Sequence, residues 1–349
     1  MVTPADRREA GREGAARGLS RDPRGHVGSP TSGAPLLERV ARRLPRPVIA
    51  ALMQAAARAA GRGPLGRRAR ANLELALGDK LDERARREVE RGSLRHAARV
   101  ATEWAQLSRL KLGGQRRERA QAWLKEQVSL DDSVRHLDEE LEAGRGVILA
   151  TAHIGNWELL GARVTPRILA RGRTPIAVGL DRSGWLRRLR AAYGVEGLPQ
   201  NTHPRVLKEA LAEGRPVALL ADMEVRRLAG AFLPFLGVPA LTMTAPAALA
   251  RASGCAILPM RCYIPNGSDR YRVSFEAPLS LDASLPKKEG TIDLTSRLNQ
   301  VYEAWIRETP AQWAWYQPRW RTRPGTLEAI PLAARAVRPD LPGAYDGDG

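Results

Sequence analysis

Cysteine is scarce in this chain: Cys255 and Cys262 are the only two in 349 residues. That scarcity excludes a disulfide framework and a four-cysteine zinc site, and it suits a reducing compartment. Long apolar runs are missing as well. A membrane-crossing helix needs about 18 or more mostly apolar residues. The best candidate, residues 48–60, is shorter than that and carries Gln54 and Arg58. The N-terminus has no apolar stretch of the kind a secretory signal carries. Aromatic residues make up only 5% of the chain, too few to supply the stacking platforms of a nucleic-acid binder. No G-x-S-x-G elbow, phosphate loop or H-E-x-x-H pattern occurs. These absences lead us to expect a soluble or surface-bound cytoplasmic protein with no metal centre and no nucleic-acid partner.

Negative charge is also in short supply, with 38 Asp+Glu against 56 Lys+Arg, a net of +18. Such an excess calls for an anionic partner, whether nucleic acid, anionic lipid or an acidic carrier protein. The excess is unevenly placed. Residues 1–34 hold six Arg and four acids and show no apolar period, so they read as a disordered tail. Residues 35–130 hold 22 Lys+Arg and 10 acids, and their pattern is helical. Leu36, Leu37, Val40 and Leu44 recur at helical spacing. Val48, Ile49, Leu52 and Met53 do so after a proline break. Such helices either pack on the chain's own core or lie in the plane of an anionic membrane surface.

Beyond Gly144 the pattern changes to strands alternating with helices. The run GVILATA at 146–152 reads as a buried strand, followed by a helix over 156–170. Further strands are expected at 175–180, 216–221, 255–263 and 271–276. Helices are expected at 185–193, 205–213, 244–253 and 293–309. This alternation is that of an α/β fold. Residues 131–324 form its core, and residues 325–349 read as an extended tail.

The sharpest feature is HIGNWE at residues 153–158. His153 falls just past the end of a buried strand, where open α/β sheets bind ligands. Histidine takes a proton near neutral pH. A carboxylate can hold its other ring nitrogen and stabilise the imidazolium. Glu158, in the first turn of the next helix, is the expected carboxylate.

This block is similar to the H-x-x-x-x-[DE] block of the lysophospholipid acyltransferase superfamily. In its HIGNWE form it resembles the branch of lipid A biosynthesis (lauroyl/myristoyl) acyltransferases. Later segments follow in the family's order: Asn72-Leu73, Arg190 with Gly194, and Asp222-Met-Glu224, with Met223 where the family commonly has Gln. Then come Phe232-Leu-Pro234-Phe235 with Thr242, and Pro310-Ala-Gln312-Trp313-Ala-Trp315 with Arg319-Trp320-Arg321. Together they span about residues 36–324.

The resemblance implies a central mixed β-sheet flanked by helices, preceded by the N-terminal helical region. It implies transfer of a fatty acyl chain from a thioester, on acyl carrier protein or coenzyme A, to a hydroxyl of a lipid A precursor or similar glycolipid. No cofactor is called for. The site would be the cytoplasmic face of the inner membrane. His153 would be the general base and Glu158 its orienter. Asn156 either binds the developing oxyanion or caps its helix. Arg190 either binds a substrate phosphate or is one solvated arginine among several. Asp222 would hold acceptor hydroxyls, anchor Arg190 or cap a loop, and Glu224 falls in the same substrate-binding segment. Phe232 and Phe235 would line the acyl chain, face the membrane or pack in the core. Trp313, Trp315 and Trp320 would be core or an interfacial belt. The rival readings are an acyltransferase acting on another lipid, such as a phosphatidylinositol mannoside, and a basic membrane-surface or nucleic-acid-binding protein.

Overall fold

The computed structural model describes residues 44–109, 117–179, 184–224 and 230–324. Both expected tails and the pattern of Leu36, Leu37 and Val40 lie outside these residues. Three helices come first: α1 (Arg46–Arg62), α2 (Pro64–Leu77) and α3 (Glu83–Arg109). Pro64 at the first turn of α2 suits a helix start, since its missing N–H would be unpaired there anyway. Ala69, Leu73, Ala76 and Leu77 then bury one stripe at helical spacing. Along α1, Ile49 turns inward, while Val48 and Leu52 are 41% and 52% exposed, so the four residues expected on one face divide between two.

The elements that follow are α4 (Arg117–Gln127), β1 (Val128–Leu130), α5 (Arg135–Glu142), β2 (Ile148–Thr151), α6 (Trp157–Leu169), β3 (Ile176–Gly179), α7 (Trp185–Tyr193), β4 (Glu196–Pro199), α8 (Pro204–Ala212) and β5 (Val217–Leu220). Next come β6 (Gly230–Phe235), β7 (Val238–Met243), α9 (Ala245–Ser253), β8 (Ile257–Tyr263), β9 (Tyr271–Phe275) and α10 (Lys287–Glu308). Seven strands form one sheet in the order β1-β9-β8-β2-β5-β3-β4. Pairing is parallel except between β8 and β9, so the sheet is mixed. The expected strands are present. Strands β1 and β4 were not expected: the first is three residues long, and the second, EGLP, carries a Gly and a Pro that mask any strand pattern.

The sheet is buried on both faces. Along β2 and its flanks Ile148, Ala150 and Ala152 enter one apolar cluster, with α2, α8, α9 and α10. Val147 and Leu149 enter the other, with α4, α5 and α6. This is the two-residue alternation of a strand covered on both sides. Residues 230–235 belong to a second, smaller sheet. β6 pairs antiparallel with β7 as a separate hairpin, and every residue of β6 but Pro234 is buried, so no alternation shows in its sequence.

Candidate active site

Strand register builds the site. β2 and β5 run parallel with Thr151 beside Leu220. Two residues past each, His153 and Asp222 therefore meet at the carboxyl edge of the sheet. The His153 ring nitrogen Nδ1 lies 2.8 Å from Asp222 Oδ1, and the His153 backbone N–H donates to Asp222 Oδ2 at 2.8 Å. The Trp313 indole N–H donates to the same Oδ2 at 2.8 Å. Asp222 is fully buried. Burial alone pushes its pKa up, but the charge of the His153 imidazole and the three hydrogen bonds outweigh that and hold the carboxyl below the ordinary range. An ionised Asp222 accepts the Nδ1 proton, which leaves Nε2 as the basic nitrogen. The His153 side chain keeps 22% of its surface exposed.

The expected pairing of His153 with Glu158 is therefore corrected. In the first turn of α6, Glu158 turns to α7, where its carboxylate accepts from Arg190 Nη2 at 2.6 Å and from the Tyr193 hydroxyl at 2.8 Å. Arg190 Nε reaches both carboxylate oxygens at 3.2 Å. Arg190 is thus a buried partner of Glu158 rather than a solvated arginine, and Asp222 does not anchor it. Burial and the Glu158 charge raise the Tyr193 hydroxyl well above its usual range.

Asn156 is consumed as the cap of α6. Its Oδ1 accepts from the Leu159 N–H and from the Trp104 indole, and its Nδ2 donates to Glu103. With no exposure, it does not face a substrate oxyanion. Gly155 before it adopts φ +60, and a Cβ there would sit 1.8 Å from the Cys262 carbonyl oxygen, so only glycine fits the turn. Glu224 is also spoken for: it accepts from the Thr322 N–H, the Thr322 hydroxyl and Arg321. Phe232 and Phe235 are fully buried. The Phe235 ring packs on Trp313 and Trp320, one layer behind the site, so both phenylalanines are core. Trp313, Trp315 and Trp320 are core as well.

An apolar cavity of about 210 Å³ opens beside His153. One face of α3 lines it with Ser93, His96, Ala97, Val100, Ala101 and Trp104. Trp157, Trp313 and Tyr316 close it from the sheet side. The spacing 93, 96, 97, 100, 101, 104 is a helical stripe, the sequence signal that could have marked this wall. His96 sits in it with Nε2 3.1 Å from the Gly155 carbonyl oxygen. Burial takes its pKa down to about 4 despite that hydrogen bond, so the neutral ring donates to the carbonyl. A second hollow of about 430 Å³ lies at the opposite, amino ends of β3, β4 and β5. Arg215 pairs with Glu196 there, and Arg173 binds the carbonyls of Arg145 and Gly214. It lies far from the dyad and offers no proton-transfer pair.

Residues 313–322 form a strap across the site. Asn72 donates to the carbonyls of Trp315 and Gln317 at 2.8 and 2.9 Å. Ser93 donates to the Trp313 carbonyl at 2.9 Å. Buried Arg319 donates to the Leu241 carbonyl and the Thr242 hydroxyl. Among the described residues no cluster of His, Cys, Asp and Glu is arranged to hold a metal ion, and no helix is long and apolar enough to cross a membrane.

Residues 36–322 match the family described as bacterial lipid A biosynthesis acyltransferase. Over 205 residues the chain is 32% identical to a phosphatidylinositol mannoside acyltransferase of Mycolicibacterium smegmatis, covering 56% of this chain and 64% of that protein. Over 193 residues it is 31% identical to the phosphatidylinositol mannoside acyltransferase of Mycobacterium tuberculosis, covering 53% and 58%. The match spans less than two thirds of the length of either relative.

Proposed function

Because the chain belongs to the bacterial lipid A biosynthesis acyltransferase family, we propose that it transfers a fatty acyl chain from a thioester to a glycolipid hydroxyl, with His153 as general base and Asp222 as its orienter. The observation that carries this reading is the His153–Asp222 pair at the mouth of an apolar cavity. Nε2 takes the hydroxyl proton as the oxygen attacks the thioester carbonyl. The new C–O bond forms, the C–S bond breaks, and the proton passes to the leaving thiolate. A thioester is activated enough that no enzyme nucleophile is required. A cavity of 150 Å³ holds one benzene ring. One of about 210 Å³ then takes roughly eight carbons, a segment of an acyl chain. Acyl carrier protein and coenzyme A present the same reacting group, so either serves as donor.

The relatives' names favour a phosphatidylinositol mannoside as acceptor over a lipid A precursor. Helices α1 and α2 expose the apolar residues Val48, Leu52 and Leu65 and also Arg46, Arg58, Arg62, Arg67 and Arg68. Helices of this composition suit attachment to the anionic cytoplasmic surface of the inner membrane. The test is incubation of the purified chain with radiolabelled palmitoyl-CoA, or palmitoyl carrier protein, and vesicles containing phosphatidylinositol mannoside or lipid A precursor. Labelled glycolipid is expected with wild type and not with His153→Ala. Equal product from the His153→Ala protein, or none from wild type with any pairing, overturns the reading.

A further inference from the structure

Trp313 belongs to two things at once. Its indole N–H donates to Asp222 Oδ2, and its ring walls the apolar cavity. The strap that carries it is fixed from behind, by Ser93 on the Trp313 carbonyl and by Asn72 two residues on. Trp315, Trp320 and Phe235 pack around the ring. The indole therefore has one place to be, and its N–H points at a carboxylate with no exposed surface.

We propose that Trp313 is a positioning residue of the dyad: it holds the Asp222 carboxylate in register with His153 and joins the cavity wall to the proton-transfer pair. This rests on the reading of His153 and Asp222 given above. Asp222 Oδ1 faces the imidazole, while Oδ2 receives the His153 amide and the indole. Two donors on one oxygen stop the carboxylate from turning about its last bond, so Oδ1 stays aimed at Nδ1. The second effect is electrostatic. A donor shared with Asp222 draws off some of its charge, so the imidazolium beside it is less strongly stabilised. Without the N–H, the carboxylate presents its full charge to His153, and the ring becomes easier to protonate. The other ionisable groups in the field of Asp222 are Tyr302 on α10 and Arg319 on the strap, the latter shared with Glu224 and Glu303. Replacing Trp313 changes none of them.

The deciding replacement is benzothienylalanine, inserted at position 313 of the full chain. It keeps the bicyclic shape and puts sulfur where the N–H was. Trp313→Phe is the conventional companion, and Trp315→Phe is the control, because the Trp315 indole donates to the Pro310 carbonyl and not to Asp222. The primary readout is the titration of the His153 ring by NMR of histidine-labelled protein, with the resonance assigned through His153→Gln. With benzothienylalanine the midpoint is expected to rise by about half to one pH unit. Turnover with palmitoyl-CoA falls about tenfold at unchanged KM. Trp315→Phe leaves the midpoint in place. An unmoved or lowered midpoint in the benzothienylalanine protein overturns the inference. That result with an inactive His153→Ala protein leaves the proposed function standing, whereas an active His153→Ala protein removes the function itself.

Discussion

Two carboxylates are buried at the same edge of the sheet, and they live differently. Asp222 sits two residues past β5 and faces a histidine that keeps a fifth of its side chain open. Glu158 sits in the first turn of α6 and faces an arginine and a tyrosine that are both buried. One pair can pass a proton, because an imidazole nitrogen can both accept and donate one. The other cannot, because a guanidinium does not give its proton up. Five residues of chain separate His153 from Glu158, against 69 from Asp222, yet the distant residue makes the contact. Helix α6 turns Glu158 to Arg190 and Tyr193 of α7, while β5 delivers Asp222 alongside β2. The pair suited to catalysis comes from strand register, and the pair suited to stability comes from helix packing.

Four sets of variants test that division. The largest effect is expected for Asp222→Asn, which keeps the shape and removes the charge. Turnover should fall about 10²–10⁴-fold, measured with palmitoyl-CoA, while circular dichroism stays native. Glu158→Gln should do the opposite. It takes the Glu158 charge away from the buried Arg190 guanidinium, a loss of about 1–3 kcal/mol by urea unfolding, with turnover per folded molecule close to wild type. If Glu158→Gln lost turnover as Asp222→Asn does while keeping its stability, the two carboxylates would have to exchange roles.

The third test concerns His96, a histidine on the cavity wall that takes no part in the dyad. Its pKa in the folded chain is about 4 against an ordinary 6.5, so the unfolded chain binds the extra proton. Its contribution to stability is therefore complete above about pH 6.5 and drains away as pH falls toward 4, by at most about 3 kcal/mol. His96→Gln should flatten that slope in unfolding curves taken across the window. The smallest effects separate two arginines of α7. Arg190→Lys keeps the charge but loses the planar fork, costing about 1–2 kcal/mol. Arg187 is exposed, and Arg187→Ala should stay within about 0.5 kcal/mol. Equal losses at both would mean that the Glu158 pair contributes nothing special.

Legibility in the sequence followed the range of the interactions. The strand ending before His153 was plain from GVILATA, and α7 was expected over the residues it occupies. His153 was legible as the candidate base because it falls just past a buried strand, within a HIGNWE block that resembles the family's. Its partner was not, since residue order along one chain does not give the neighbour across a sheet. The same holds for Asn156, whose acceptor and donor are both taken up by α3 and its own helix. The hairpin β6–β7 hid because every residue of β6 but Pro234 is buried, which erases alternation. Trp313 was singled out for its ring, and only the fold places its N–H on Asp222.

The strap also sets a timetable for synthesis. Trp313 follows Asp222 by 91 residues, and Trp315 follows Asn72 by 243. A ribosome adding about 5–20 residues each second needs roughly 5–18 seconds to travel from the carboxylate to the indole that binds it. Throughout that interval the nascent sheet can pair β2 with β5 and bring His153 to Asp222, but Oδ2 lacks one of its two donors and one wall of the cavity is absent. The sheet edge that carries His153 and Asp222 is thus finished late in translation, after the strands that define it.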